Sequence, residues 1–356
     1  MEYLPRIENL RRRMEERGID SVVLFSDDHN SNSAWRNFYY FTGFDDFWRN
    51  FLILDKESEV LYTNSPALAK ESCPFVEVRE LSLKNIKARI KASKNLYADF
   101  SMPYNIFSKL FSSCRPLDIS SEISDMRSVK SPEEIFLIRS ACKNSDEVME
   151  HLREVIRPGI KESLIAREIK INVLEMGMFP DEPIVASSAN SANPHFIPGD
   201  RCLKRGDCVL VDMGVANGEY HSDCTRMFSL GKPSREFSEA FEAVASMIRF
   251  CEEKIVESSK CSELDLSLKK YFDSSFPSLK PGYFGHALGH GIGLAIHESP
   301  TIHEKSAESF RNGMAFAVEP ALYFRGNFGI RLEDSFVLEG GFPKRLTSFP
   351  RKLAVL

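Results

Sequence analysis

The N-terminal third of the chain alternates short apolar runs with amphipathic segments. Leu4, Ile7 and Leu10 recur at helical spacing before Gly18, so we predict a first helix that stops near this glycine. Helical and strand-like pieces then alternate to about Asp118, which is typical of a small α/β domain of roughly 120 residues. The short apolar or aromatic runs predict strands at residues 21–25, 37–43, 51–54 and 59–62, with the last two joined as a hairpin.

A long amphipathic helix is predicted at the start of the second part of the chain. Ser131, Pro132 and Glu134 have the spacing of a capping box with proline at the first helical position. An apolar stripe at helical spacing extends this helix to about Ile156.

The domain boundary is expected just before this helix, at about Asp125. It divides the chain into residues 1–124 and residues 125–356. The second part is expected to contain further helices, strands up to about Leu230, and a last stretch of glycine-punctuated strands. The further helices are predicted at about residues 161–176, 236–257 and 263–272.

A hairpin is predicted around Asn217 and Gly218, which lie between strand-like residues. Asn-Gly favours a type I′ turn, because that turn needs positive φ at both central residues. With these two residues as the turn, Asp212 lies directly opposite Asp223, with the Cβ atoms about 5 Å apart. Like charges repel by about 4 kcal/mol at about 4 Å with an effective dielectric near 20, so we expect a cation between them.

A second hairpin is predicted around Gly326, between two apolar runs. If it pivots on this glycine, Glu319 faces Glu333 and a second pair of acids results. Pro320 weakens this register, because proline donates no hydrogen bond to a ladder and often marks an edge or a bulge. The neighbouring residues are apolar, which favours partial burial of both glutamates.

Three histidines fall in the glycine-rich run of residues 284–298, namely His286, His290 and His297. Glycines allow the backbone to pass close to a site and to bend sharply. Imidazole is a common metal ligand and a general acid or base near neutral pH. From this segment alone, a functional site and a buried turn with structural histidines are equally open.

The two acid-bearing hairpins and one histidine suggest a dinuclear metal site. Two divalent cations balance the charge of four ionised carboxylates, and such a site holds its metals about 3.5–4 Å apart and activates a bridging water. The oxygen-rich ligands favour manganese or cobalt, with iron or zinc as alternatives, over a structural zinc, which normally takes cysteines. Cys208 lies too far along its strand and Cys224 points to the other face, so neither is a predicted ligand.

Composition places the chain among soluble globular proteins of more than one domain. It has 356 residues, of which 43% are hydrophobic and 27% charged. A net charge of −5 and a pI near 6.0 give no support to nucleic-acid binding. The sequence has no apolar run near the roughly 18 residues that span a membrane, no signal-peptide core at its start, and no CxxC pair among its eight cysteines. We therefore expect a cytoplasmic protein without nucleic-acid or membrane partners.

Together these motifs resemble the prolidase and aminopeptidase P group of the methionine-aminopeptidase-like, or pita-bread, metallopeptidases. The matching segments, in the family's order, are RSVKSPEEIFLIRSA, VDMGVANGEYHSDCTR, GHALGHGIGLAIHESP, MAFAVEPALYF and GIRLED. The weaker YYFTGF motif resembles the creatinase-type N-terminal domain of this group. The resemblance implies an α+β fold, in which a smaller α/β creatinase-type domain precedes a pita-bread domain with a curved, mainly antiparallel sheet.

The resemblance also implies a complete set of metal ligands. Asp212 would chelate one ion, and His290 and Glu319 would hold the other. Asp223 and Glu333 would bridge the two ions. Because all five ligand types are present, the chain differs from metal-free relatives such as creatinase and the non-catalytic binding proteins on this fold.

Further residues match positions that take part in the family's reaction. His297 would contact the substrate and assist proton transfer, and His195 would line the site. Glu319 is the candidate shuttle that takes a proton from water and passes it to the leaving proline nitrogen.

Strand parity adds three supporting residues to the predicted site. Arg331 lies two residues before Glu333, so on a strand both side chains point to the same face and Arg331 could orient Glu333. Thr225 has the same relation to Asp223. A surface or packing role is an equal alternative for both. Parity also places His221 on the metal-facing side, although a structural role is favoured for it.

The implied activity is hydrolysis of the bond before proline in short peptides. A Xaa-Pro dipeptidase, or prolidase, is favoured, and aminopeptidase P acting on longer peptides is the alternative. A methionine aminopeptidase is disfavoured, since those enzymes typically lack such an N-terminal domain, and the intact ligands disfavour a non-catalytic binding module. The substrates would be small peptides with proline at the second position, and the family resemblance implies a homodimer.

Overall fold

The computed structural model of the protein describes residues 3–27, 33–279 and 284–356. The chain forms two compact units, Met1–Arg127 and Ser128–Leu356. Across the described ranges, no helix is both long and apolar enough to cross a membrane.

The first unit is an α/β unit built on a mixed sheet of six strands. Its elements are α1 (Leu4–Arg17), β1 (Ser21–Ser26), α2 (Ser33–Thr42), β2 (Asn50–Asp55), β3 (Glu59–Thr63), α3 (Pro66–Ser72), β4 (Glu77–Glu80), α4 (Leu83–Ala92), β5 (Leu96–Ala98), α5 (Tyr104–Leu110), β6 (Leu117–Asp118) and α6 (Ser120–Ser128). The strand order is β4-β3-β2-β1-β5-β6. The central strand β1 pairs antiparallel with β2 and parallel with β5.

One strand prediction in this unit is wrong, because residues 37–43 lie mainly in helix α2. Aromatic residues favour strands locally, but Ala34, Phe38 and Phe41 recur at helical spacing and are fully buried. Burial of this face therefore overrides the local propensity. The predicted first helix and the predicted strands at residues 21–25, 51–54 and 59–62 are confirmed.

The second unit combines four long helices with mostly antiparallel sheets. The helices are α7 (Pro132–Val155), α8 (Glu162–Glu175), α9 (Arg235–Lys254) and α10 (Cys261–Ser275), and short 3-10 turns occur at Ser188–Ala192 and Pro277–Leu279. The strands are β7 (Phe179–Pro180), β8 (Ile184–Ser187), β9 (Cys208–Met213), β10 (Val215–Asn217), β11 (Tyr220–His221), β12 (Cys224–Ser229), β13 (Gly289–Gly291), β14 (Glu298–Ile302), β15 (Ala315–Val318), β16 (Ala321–Phe324), β17 (Phe328–Arg331), β18 (Asp334–Glu339), β19 (Phe342–Arg345) and β20 (Ala354–Val355).

Hydrophobic packing on both sides of strand β9 holds the second unit together. One core packs α7 and α8 against β8, β9 and β12, and another packs α9 and α10 against β15 and β18. Val209 and Val211 of β9 belong to the first core, whereas Leu210 belongs to the second. Because successive side chains of a strand point to opposite faces, β9 is fixed from both sides.

Helix α7 begins as the sequence predicts. Ser131 Oγ accepts a hydrogen bond from the Glu134 N–H, and the Glu134 carboxylate accepts one from the Ser131 N–H at 2.8 Å. These two bonds complete the capping box, with Pro132 in the first turn.

The turn of the first hairpin differs from the prediction. Asn217 pairs with Tyr220, so the turn residues are Gly218 and Glu219, with φ of 53° and 70°. A type I′ turn needs two consecutive residues with positive φ, and here the pair begins at the glycine. Asn217 therefore remains the last residue of its strand.

The shifted turn changes the partner of Asp212. In the ladder of β9 and β12, Asp212 lies opposite Thr225, so the prediction that it faces Asp223 is wrong. Alternate residues of a strand share a face, and the shift moves the partner by two residues. Asp223 therefore stays close to Asp212 as a diagonal neighbour, and their carboxylates approach within 4.8 Å.

The second hairpin has the predicted register. Ala321 lies opposite Arg331, and the turn between β16 and β17 is centred on Gly326. Glu319 falls between β15 and β16, and Glu333 falls between β17 and β18. Both glutamates thus lie where the chain passes from the five-stranded sheet to the two-stranded one or back.

Candidate metal centre

A cavity of about 470 Å³ in the second unit is lined by carboxylates and histidines. All five predicted metal ligands lie on its wall. Two predicted supporting residues, Thr225 and His221, form hydrogen bonds to wall residues. The predicted site residues on the wall are Asp212, Asp223, His290, Glu319, Glu333, His195, His297 and Arg331.

The ends of strands deliver the ligands to this cavity. Asp212 is the next-to-last residue of β9, Asp223 directly precedes β12, and Glu319 directly follows β15. Glu333 directly precedes β18, and His290 is the central residue of β13. The ligands therefore come from segments that are distant in sequence and are brought together by sheet pairing.

Two glycines explain how His290 reaches the cavity. Strand β13 lies between β14 and β15. A Cβ atom at Gly289 would collide with the Ala317 carbonyl oxygen, and one at Gly291 would collide with the Ser299 carbonyl oxygen. The glycine-rich run thus allows close backbone approach on both sides of the histidine.

His290 faces three of the carboxylates. Its Nε2 atom lies 3.6 Å from Asp223 Oδ2, 3.6 Å from Glu319 Oε1 and 3.9 Å from Glu333 Oε1. Its Nδ1 atom lies 3.2 Å from the Gly291 carbonyl oxygen. If Nδ1 donates this hydrogen bond, the lone pair of Nε2 is free to bind a cation.

Among the described residues, three overlapping groups of three side chains have the spacing of metal ligands. In each group, one ligand atom per residue lies within 4.8 Å of the others. One group is Asp212, Asp223 and Glu333, another is His290, Glu319 and Glu333, and the third is Asp223, His290 and His297. The shared Glu333 makes the first two groups adjacent, as neighbouring cations with a common carboxylate require.

Burial of several acids in one place strongly perturbs their pKa values. Burial and the nearby Glu333 charge raise the pKa of Asp223 and that of Glu319 well above the ordinary values. Burial and the Asp212 charge raise the pKa of Glu333 to about 8. Burial, together with His297, lowers the pKa of His290 to about 3. Clustered carboxylates and a neutral imidazole are a donor set that fits divalent cations.

Thr225 and Arg331 hold the carboxylates in place. Thr225 Oγ1 donates a hydrogen bond to Glu333 Oε2 at 2.7 Å, and Arg331 Nε donates to Thr225 Oγ1 at 3.1 Å. The Arg331 guanidinium also pairs with Asp212. Direct orientation of Glu333 by Arg331 was expected from parity, but the hydrogen bonds place Thr225 between the two residues.

The Arg331 side chain is buried and hydrogen-bonded within this network. It is 2% exposed, and its Nη1 atom donates hydrogen bonds to Tyr323 Oη at 2.7 Å and to the Pro194 carbonyl oxygen at 3.3 Å. Burial opposes its charge, but Tyr323 and Asp212 outweigh that effect and raise its pKa. Arg331 is therefore a fixed cation within the wall.

His297 and His195 present accessible rings to the cavity. The His297 ring centroid lies 4.2 Å from that of His290, and burial lowers the pKa of His297. His195 is exposed and lies in the loop after the 3-10 turn that ends at Ala192. Both rings are accessible to a molecule in the cavity.

Two further histidines have partners in the protein. His221 Nδ1 lies 2.8 Å from Asp181 Oδ2. His286 Nε2 lies 2.8 Å from Tyr323 Oη, and burial lowers the pKa of His286 to about 4. His221 is thus in contact with Asp181, which lines the cavity.

Comparison with known families identifies the class of this centre. The model of the family described as "Metallopeptidase family M24" matches residues 137–339. The model described as "Creatinase/Prolidase N-terminal domain" matches residues 6–129. The chain belongs to metallopeptidase family M24. The expected architecture of a creatinase-type N-terminal domain followed by a pita-bread domain is confirmed.

Relatives of this M24 chain include proline-specific peptidases. A protein named Xaa-Pro dipeptidase from Pyrococcus horikoshii is 29% identical over 361 residues, which cover 98% of each chain. The solved structure of a Xaa-Pro dipeptidase from Bacillus anthracis has 26% identity and a TM-score of 0.91, with 100% of both chains covered. That of an X-Pro aminopeptidase from Thermotoga maritima has 27% identity and a TM-score of 0.85, with 97% of this chain and 100% of the other covered.

Sequence reasoning missed two residues that shape the M24 site. Tyr323 hydrogen-bonds both Arg331 and His286, and its strand parity with Arg331 in the second hairpin could have indicated it. Asp181 lies on the cavity wall in a segment with two prolines and no periodic pattern. No sequence signal marks Asp181, because only the fold brings it next to β10 and His221.

Proposed function

We propose that this protein is a Xaa-Pro dipeptidase that uses two divalent metal ions per subunit, manganese or cobalt, with iron or zinc as alternatives. The observation that carries this proposal is the pair of ligand groups that share Glu333 inside an M24 fold. Relatives named Xaa-Pro dipeptidase over nearly the whole chain support the choice of substrate.

The ligand assignment follows the two groups that share Glu333. Asp212 would hold one ion, and His290 and Glu319 would hold the other. Glu333 belongs to both of these groups and would serve both ions. Asp223 would be the second shared ligand, since it lies in the group of Asp212 and its Oδ2 atom is 3.6 Å from Nε2 of His290.

When bound, the two ions supply Lewis acidity and lower the pKa of a water molecule. Glu319 then holds a proton and passes it to the leaving proline nitrogen. Its side chain is 15% exposed, with one oxygen 3.6 Å from His290 Nε2 and the other 3.4 Å from His286 Nδ1. These contacts keep it at the cavity wall, where a substrate amide can reach it.

The histidines on the wall bind and polarise the substrate. His297 donates a hydrogen bond to the substrate carbonyl oxygen, where negative charge develops in the transition state. His195 lies on an accessible loop of the same cavity and contacts the peptide. Arg331 and Thr225 keep Asp212 and Glu333 oriented throughout, because they are buried and hydrogen-bonded.

A second candidate function is an aminopeptidase that acts on longer Xaa-Pro peptides. Among the described residues of the cavity wall, Arg331 is the one lysine or arginine. Its hydrogen bonds are all within the protein, so the free carboxylate of a dipeptide meets no available cationic side chain there. This observation favours substrates in which proline is followed by another residue.

A substrate panel tests both candidates. Purified protein is loaded with manganese or cobalt, and cleavage of Xaa-Pro dipeptides is compared with cleavage of Xaa-Pro-Xaa tripeptides. A dipeptidase cleaves the dipeptides at the higher kcat/KM, whereas good tripeptide turnover with inert dipeptides refutes that choice. A protein that binds no divalent metal and cleaves neither set would instead be a binding module.

Three further expectations belong to the same proposal. The substrates are small peptides with proline at the second position. A homodimer and a cytoplasmic location remain predictions. Light scattering during gel filtration tests the homodimer, and cell fractionation tests the location.

A further inference from the structure

One side of the cavity lies beside the candidate metal centre, where strand β9 meets β10. Gly214 allows close packing there, since a Cβ atom at this position would meet Asp181 Oδ2, Ile296 Cδ1 and the Ser222 carbonyl oxygen. Asp181, Ile184, Gly214 and Ile296 all line the cavity. We call this group of four residues the Gly214 recess.

Asp181 supplies the charge of the Gly214 recess. Its backbone N–H donates to the Gly214 carbonyl oxygen at 3.1 Å, which fixes it beside the strand. Its side chain is 23% exposed, and within the described part of the chain its one side-chain partner is His221. This contact with the His221 ring orients the carboxylate.

The other wall carboxylates outside the proposed ligand set are already paired. Glu298 pairs with the buried Lys130 at 3.0 Å. Glu182 is 79% exposed and pairs with Lys170 at 2.6 Å. Outside the proposed ligand set, Asp181 is therefore the wall carboxylate that pairs with no lysine or arginine among the described residues.

The position of the recess fits the end of a long side chain. Gly214 follows Asp212 by two residues, or about 6.6 Å along an extended strand. A substrate α-amine is attached to the carbon next to the reacting carbonyl, whereas a lysine ammonium lies at the end of a four-carbon stem. Ile184 and Ile296 offer apolar walls for that stem, and Asp181 offers the oxygen for its charged end.

We propose that Asp181, positioned by His221, selects lysine or arginine as the residue before proline. The inference rests on the proposed function for the reaction itself, but it concerns a different part of the cavity. A carboxylate that meets an ammonium or guanidinium group in a partly buried recess forms a charge-assisted hydrogen bond, which is stronger than a neutral one.

Matched substrates isolate the side-chain charge. Lys-Pro is compared with norleucine-Pro, which has a similar stem without the ammonium, and the same pairs are prepared as Xaa-Pro-Ala tripeptides. We expect the wild-type protein to prefer the lysine substrate about ten-fold or more in kcat/KM, since a hydrogen bond to a charged group is lost with norleucine. Asp181→Asn should remove most of this preference, because it should lower kcat/KM for the lysine substrate more than for norleucine-Pro.

Glu182→Gln is the matched control. It removes one negative charge from the adjacent wall residue, and we expect it to keep the preference for lysine. An unchanged preference in Asp181→Asn overturns the inference. An equal loss on both substrates also overturns it, because that result assigns Asp181 to the α-amine or to the metal centre.

A binding measurement separates this inference from the proposed reaction. Calorimetry compares lysinamide with norleucinamide, two ligands that differ in side-chain charge and contain no proline bond. Tighter binding of lysinamide that is lost in Asp181→Asn supports the recess even in a protein that cleaves no Xaa-Pro peptide. Equal binding of both ligands, with normal Xaa-Pro cleavage, refutes the recess and leaves the proposed function standing.

Discussion

The Thr225 hydroxyl donates a hydrogen bond of 2.7 Å to Glu333, the carboxylate that two of the ligand groups share. Thr225 also forms an isolated bridge with Glu333 through the backbone. Because Thr225 accepts a hydrogen bond from Arg331, and Arg331 pairs with Asp212, one chain of contacts links Glu333 to Asp212 on β9. The position of Glu333 is thus set by Thr225, which does not line the cavity, and through it by Arg331, which does.

Replacement of Thr225 by valine should weaken metal binding. Valine keeps the shape of the side chain but removes the hydroxyl, so Glu333 loses a donor that orients it. Loss of such an outer partner typically lowers metal affinity about 10–100-fold. Titration calorimetry with manganese measures the effect, and Thr225→Ser, which keeps the hydroxyl, should bind nearly as the wild type does.

Asp223→Asn should abolish peptidase activity. An amide carries no negative charge and bridges two cations poorly, so we expect at least a hundred-fold loss of kcat and a lower metal content per subunit. Elemental analysis and Xaa-Pro hydrolysis provide the measurements. Glu182→Gln removes a charge from the same wall without touching the ligand groups, and full activity in Asp223→Asn would refute the bridging role.

The stability of the metal-stripped protein should fall as pH rises from about 5 to 8. The pKa of Glu333 is raised from an ordinary 4.5 to about 8 in the fold. A raised folded pKa contributes stability below the unfolded pKa, and this contribution is lost as pH rises through the folded value. Between the unfolded and folded pKa values, the unfolded state has released a proton that the folded state keeps. The free energy of unfolding therefore falls by up to about 1.4 kcal/mol per pH unit for each such proton.

Thermal melts of the stripped protein between pH 5 and pH 8 measure this effect. Manganese should raise the melting temperature most at the upper end of this range, because the cation stabilises the ionised carboxylates. Glu333→Gln should flatten the pH dependence of the stripped protein. A melting temperature that rises steadily towards pH 8 would contradict the burial of protonated acids in this cluster.

Asp334→Asn should strongly destabilise the fold. Asp334 is fully buried and lies 2.5 Å from a nitrogen of Arg226 and 2.5 Å from one of Arg351. Removal of one partner of a buried pair leaves an uncompensated charge and typically costs about 3–5 kcal/mol. Urea unfolding of the metal-stripped variant measures the loss without a contribution from the neighbouring metal site.

An exposed ion pair provides the control for this stability measurement. Arg235 and Glu239 are 92% and 54% exposed on helix α9. Glu239→Gln should change the free energy of unfolding by less than about 1 kcal/mol, because solvent screens exposed pairs. Similar losses of unfolding free energy in the two variants would show that burial does not determine the cost of breaking an ion pair.

The sequence predicted which acids lie close together better than it predicted which residues face each other across the strands. The turn at Gly218 is displaced by one residue from the Asn217-Gly218 prediction, which gives Asp212 a different partner. The two acids nonetheless meet, since a partner shift of two residues preserves the face of a strand. The face of a strand on which a residue lies is thus predicted more reliably than the residue that it opposes.

Other features could not be derived from local patterns. Residues 37–43 have the aromatic character of a strand, yet a buried helical face decides their conformation. Asp181 depends on the pairing of β7 with β10, which joins segments about 35 residues apart and has no local signal. Interactions of this kind appear only when the chain is folded.

Strand β7, which carries Pro180 at its end, lies at the edge of its three-stranded sheet. An edge segment has a neighbouring strand on one side only. The proposed metal ligands come instead from strands and junctions within the larger sheets. Substitutions at residues 181–183, which follow β7, could therefore change the substrate specificity and leave the metal ligands unchanged.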